Sequence, residues 1–112
     1  MRKFQIQQSA HEVATQVRAV EDSIEAALIE LAELQGRMIR ARAVAGVGIA
    51  TGQDALAQVA SALQGLVAAR GDMANAHASL VAAKNQVPGL RTVAFGDGDE
   101  CPEKTAHLRS VA

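Results

Sequence analysis

The segment Gly46-Val47-Gly48-Ile49-Ala50-Thr51-Gly52 decides the fold of this 112-residue chain. Three glycines in seven residues close one long apolar run and open a second. Glycine is the usual residue just past a helix end, where the backbone turns left-handed. Gly46 therefore marks the C′ position of a first helix. Thr51, with Asp54 three residues on, predicts the N-cap of a second.

Upstream, apolar residues recur at alternating spacings of 4 and 3: Ile6, Ala10, Val13, Val17, Val20, Ile24, Ala27, Leu31, Leu34, Met38, Ala41 and Ala45. Downstream the same spacing appears in Leu56, Val59, Leu63 and Leu66, and Met73, Leu80 and Val87 continue it at whole heptads. Folding the chain at the glycine segment pairs Met38 with Val59, Leu34 with Leu63, Leu31 with Leu66, Ile24 with Met73 and Val17 with Leu80. The partner numbers sum to 97 in every case, so the centre of symmetry lies between Gly48 and Ile49. Turn chemistry and core register agree on one fold point. The expected fold is all-α, a long antiparallel two-helix coiled-coil hairpin.

Boundaries follow from local signals. Residues 1–8 alternate, with Phe4 and Ile6 set against Lys3, Gln5 and Gln7, which predicts a short extended N-terminal arm. Ser9 with Glu12 forms a capping box, so the first helix is expected over 9–45, with extension back to Ile6 as the alternative. The turn is 46–52 and the second helix 53–87, ended by Pro88-Gly89. Residues 89–112 form a tail of different character. It holds Gly96-Asp-Gly-Asp-Glu100 and a small repeat, Leu90-Arg-Thr-Val-Ala94 and Leu108-Arg-Ser-Val-Ala112, read as short extended segments.

The chain is 49% apolar but only 2% aromatic, without Trp or Tyr. A stripe of alanine and valine buries little area per residue, and the second helix is pale. Between Ala43 and Ala83 the charged side chains are Asp54, Arg70 and Asp72 alone. Such a helix is expected to pack on more than one neighbour. Hairpins pairing into a four-helix bundle satisfy that need. The residues expected to carry self-association are Val59, Leu63, Leu66, Val67, Met73, Ala74, Leu80 and Val81. Ala60 joins Val67, Ala74 and Val81 in one column, and Leu28, Ile29, Ile39 and Val44 supply a less regular stripe on the first helix.

Two further groups stand out as candidate sites. Arg70, His77 and Lys84 continue the second helix's core column and form a polar core line. They serve as register markers, a ligand site or a pH switch, unless the stripe rotates and leaves them on its flank. Val47 and Ile49 in the turn, with Leu90, Val93, Phe95, Leu108 and Val111 in the tail, are candidates for binding a partner. Extended apolar segments can add to a neighbour's sheet edge.

Chemistry is sparse. The single cysteine, Cys101, excludes an internal disulfide, and the acids around it raise a thiol's pKa rather than activate it. His11, His77 and His107 lack metal-ligand spacing on one helix face. Asp97, Asp99 and Glu100 lack the spacing of a calcium loop. No phosphate loop or nucleophile elbow occurs. The expectation is a non-enzyme without cofactor or metal. A net charge of −1 argues against nucleic acid. The basic start has no apolar region after it and reads as no signal peptide, and no run is apolar enough to span a membrane. A cytoplasmic location, or incorporation in a particle, is expected.

The function expected is structural: a self-associating hairpin acting as a small component of a larger bacterial assembly, of phage-like or secretion type. Its partners are then itself and another protein, with membrane-surface contact disfavoured by the strict match of the two helices. The alternatives are an amphipathic coat of the granule-associated type and an adaptor that captures a partner's helix.

Overall fold

The computed structural model describes residues 2–90. Among these residues all regular structure is helical, with α1 at Arg2–Ala45 and α2 at Gln53–Lys84, and no strand occurs. The chain packs as two compact units, and each helix contributes to both. Among the described residues unit 1 joins α1 up to Val20 with the chain from Met73 to Leu90, and unit 2 is Glu21–Asp72.

Unit 2 contains the turn. Gly46 adopts a φ of 71°, and its N–H donates to the carbonyls of Arg42 and Ala43, both at 3.1 Å. These bonds satisfy two of the carbonyls that a helix end leaves open. Gly52 takes a φ of 81°, and the Leu56 N–H donates to its carbonyl at 3.0 Å. Gly52, the residue next to Gln53, therefore occupies the N-cap position expected of Thr51. Side chains pay a steric penalty in the left-handed region, so Gly46→Ala is expected to cost about 1 kcal/mol. Urea unfolding measures it, and an unchanged midpoint would contradict the assigned cap.

Packing in unit 2 is thin. Ile24, Leu28, Leu31 and Met38 of α1 are half-buried, as are Leu56, Val59, Leu63 and Leu66 of α2, and none of the unit's residues is fully shielded. The expected α1 column shifts by one residue at alternate positions. Leu28, Gln35 and Arg42 are half-buried, whereas Leu34 and Ala41 are exposed. Arg42 is drawn over the end of the unit because its Nη1 donates to the Val47 carbonyl at 2.8 Å. Long polar stems can cover apolar surface in this way.

Unit 1 corrects the expected N-terminal arm. Residues 2–8 are helical, so neither an extended arm nor a capping box at Ser9 exists there. Arg, Lys and Gln are good helix formers, and nothing between Arg2 and Ser9 breaks a helix. Ile6 and Ala14 pack on Ala10, so a helical 4-residue spacing prevails over the apparent alternation of Phe4 and Ile6. Phe4 itself is exposed. Val13, expected in the core, is 43% exposed, and Ala14 is half-buried in its place.

Helix α2 stops at Lys84, three residues before the expected Val87. Proline disfavours helical backbone in the residue before it, and the chain tightens into turns ahead of Pro88. Gln86 N–H donates to Ala83 and Val87 N–H to Lys84, at 3.0 and 3.1 Å. Gly89 has a φ of 88°. Its carbonyl accepts a 2.8 Å bond from Gln7 Nε2, and the chain returns so that Leu90 is buried against Ala10.

Candidate functional site

The seam of α2 in unit 1 is where polar and apolar chemistry meet. Met73, His77, Leu80 and Lys84 follow one another at spacings of 4, 3 and 4, which is one face of a helix, and Val87 lies three residues past its end. His77 and Lys84, each 6% exposed, are the most buried residues of α2. They therefore lie in the seam, one heptad apart, and not on its flank. Each has an interaction partner. Around them Leu80, Val81 and Val87 pack on the buried pair Ala10 and Leu90.

Arg70, the third member of the expected polar line, is exposed, and its Nε donates to the Glu25 carboxylate. Its side chain is 61% exposed and that of Glu25 is 51% exposed, so water screens the pair. Exposed ion pairs contribute about 0–1 kcal/mol. Arg70→Ala is expected to lower stability by at most about 0.5 kcal/mol. A larger loss in chemical denaturation would assign the pair a structural role it does not have on this geometry. The residue numbers of this pair sum to 95, and those of the Gln7–Gly89 bond to 96, each close to the register of 97 read from the heptads.

The residues expected to mediate self-association divide into two groups. Val59, Leu63 and Leu66 of unit 2, and Met73, Leu80 and Val81 of unit 1, are half-buried within their own units. Ala60, Val67 and Ala74 are exposed, with Val67 at 44%. Ile29, Ile39 and Val44 are exposed as well. The column of Ala60 and Val67 on α2 is thus apolar and uncovered.

Of the residues expected to bind a partner, Ile49 is 83% exposed and Val47 39%. Ile49 forms one wall of a hollow of about 280 Å3 in unit 2, shared with Met38, Ile39, Arg42 and Leu56. Leu90 is buried inside unit 1 and is not available to a partner there. Val93, Phe95, Leu108 and Val111 lie outside the described residues, as do Cys101, His107 and the acidic run Asp97–Glu100.

Sequence reasoning missed one feature, a trough in unit 1. Its signal was available in the heptad run: Ile6, ahead of the expected start of α1, lies at helical spacing from Ala10 and Val13 within it. With that stretch helical, they meet Leu80, Val87 and Leu90 around a hollow of about 550 Å3. Arg2, Gln5, Ser9 and Lys84 also line it.

Among the described residues no three His, Cys, Asp or Glu side chains gather as a metal site would require. No helix among them is long and apolar enough to cross a membrane. No protein-family model, curated protein or solved structure matches the chain.

Proposed function

We propose that the chain is a non-enzymatic assembly protein that associates with itself through the apolar residues left uncovered on both helices, with the Ala60 and Val67 column of α2 among them, forming a four-helix or larger bundle. One observation carries this reading. Among the described residues no large side chain is fully buried, while Ile29, Ile39, Val44, Ile49 and Val67 stand exposed. A fold held by so little apolar burial gains most from a second layer of packing. The near-absence of charge along α2 supports the same reading, because a helix facing water on its outer side normally carries charge there.

The setting in a phage-like or secretion assembly rests on analogy of form. The coat and adaptor readings differ from it in what must be added before the uncovered face is satisfied. Multi-angle light scattering of the purified chain, without lipid or partner, tests the choice. A discrete mass of two or more chains is expected. A folded monomer at every concentration reached would overturn self-association and favour the adaptor. A chain that gains helix only on vesicles or polymer would favour the coat.

A further inference from the structure

Every residue from Ala43 to Ala55, the turn end of unit 2, is exposed. Val44 is 89% exposed, Ile49 83% and Val47 39%. The charge around them is lopsided. Between Glu33 and Asp72 the cations are Arg37, Arg40, Arg42 and Arg70, and Asp54 is the single acid. The Arg37 and Arg40 side chains are 72% and 67% exposed, and they share the Glu33 carboxylate at 3.2 and 3.7 Å. The turn itself is tied down. Arg42 Nη1 donates to the Val47 carbonyl at 2.8 Å, Thr51 N–H to that of Gly48 at 3.0 Å and Gln53 N–H to that of Ala50 at 3.1 Å. These carbonyls are satisfied without water, beside aliphatic side chains that stand in the open.

We propose that this turn end docks on an anionic lipid surface, with Val44, Val47 and Ile49 entering the interface and Arg37 and Arg40 meeting lipid phosphates. The chemistry of the patch selects this partner. Aliphatic side chains flanked by arginines match a layer that is apolar inside and negative at its headgroups. A nucleic acid offers phosphates with no apolar layer beneath them. The turn end of a second copy brings the same excess of cations and is repelled. Depth agrees. Arg40 and Arg37 precede Val44 by four and seven residues, so they stand about 6 and 10 Å behind it along α1. Spacings of 3 and 4 keep all three on one face. Apolar side chains set about 5–10 Å into the interface therefore leave both guanidinium groups at headgroup level. The backbone agrees as well. A turn enters an apolar layer only if its polar groups bring partners with them, and the carbonyls of Val47, Gly48 and Ala50 do so. The seam between α1 and α2 in unit 2 stays closed in this contact, so the match of the helices that disfavours a flat coat is undisturbed. The inference does not rest on self-association, for which Ile29, Ala60 and Val67 lie outside the turn end.

Flotation of the full-length chain with vesicles tests the docking. Binding is expected to vesicles of mixed phosphatidylglycerol and phosphatidylcholine, not to phosphatidylcholine alone, and is expected to weaken as salt is added. Arg37→Gln and Arg40→Gln are each expected to lower the partition coefficient about fivefold, the effect of one cation near such a surface. Val44→Ser with Ile49→Ser is expected to lower it by at least about tenfold, while far-ultraviolet circular dichroism holds because both side chains are already exposed. The chain has no Trp or Tyr, so Ile49→Trp supplies a single reporter. Its emission is expected to shift to the blue on mixed vesicles and to be quenched by brominated acyl chains. In a separate chain, the emission of Val67→Trp is expected to stay unchanged by vesicles. Absence of binding to mixed vesicles would overturn the proposal and leave the turn end to an acidic protein. Equal binding to both kinds of vesicle would overturn it, because charge would then select nothing. A vesicle-dependent shift in Val67→Trp would overturn it too, by laying the outer face of α2 on the surface. The mass measured without lipid is a separate reading, so a failure here leaves self-association standing.

Discussion

Chains carrying Ala60→Glu with Val67→Glu are expected to lose their oligomeric mass while keeping helix in the cold, whereas Leu63→Asp is expected to lose the helix itself. The two results separate faces of one element. Ala60 and Val67 are one heptad apart on α2 and exposed, so glutamate there meets water in a single hairpin and costs within about 0.5 kcal/mol. In an assembled bundle the same carboxylates lie against an apolar neighbour without a partner, a cost of several kcal/mol. Leu63 is half-buried in the seam of unit 2. Aspartate there removes about 1.5–3 kcal/mol of apolar burial and adds the desolvation of a charge. A small domain with stability near about 5 kcal/mol cannot absorb that loss.

Light scattering and thermal melts over a range of concentrations read both variants. The parent's melting midpoint is expected to rise with protein concentration, because association binds the folded state only. In the glutamate pair the midpoint falls and the concentration dependence disappears. An unchanged mass for the glutamate pair would remove this face from the interface. A fully folded Leu63→Asp chain would show that the seam of unit 2 contributes little to the fold.

Some of this architecture could be read from the residues directly. The fold point was legible because two unrelated signals met there. Gly46 and Gly52 do carry positive φ, and the helices end and begin at Ala45 and Gln53 beside them. The all-helical character was legible from the heptads. The start of α1 was not, because Phe4 and Ile6 alternate with polar residues over too short a stretch to separate a period of 2 from one of 3.6. The end of α2 was misplaced because an apolar residue at the right spacing, Val87, sits in a turn forced by the proline after it. The exact face of α1 was hidden for another reason. Alanine is nearly indifferent to which side it presents, so Val13 and Leu34 could yield the seam to Ala14 and Gln35. Where the chain is built of small residues, helix direction is well specified and helix rotation is not.

His77 and Lys84 show the same ambiguity with a larger consequence, and their joint replacement by leucine is expected to raise stability. Each is 6% exposed, in a column whose other members are Met73, Leu80 and Val87. Each has an interaction partner in the folded state, yet taking polar groups out of water commonly cancels what such interactions return. Leucine at both sites of a seam otherwise lined by Leu80, Val81 and Val87 restores the apolar heptad. The expected gain raises the melting midpoint by about 4–8 °C per kcal/mol in a domain of this size. The cost falls on specificity. A polar residue in the core makes the wrong register expensive, and an all-apolar seam of small residues can slide by a heptad or pair in more than one number. The double variant is therefore expected to melt higher and to show a broader distribution of masses than the parent. A lower midpoint would mean that the interactions of His77 and Lys84 hold unit 1 together more strongly than apolar packing can. A higher midpoint with one unchanged mass would show that register is set elsewhere, with the glycine turn at 46–52 as the remaining determinant.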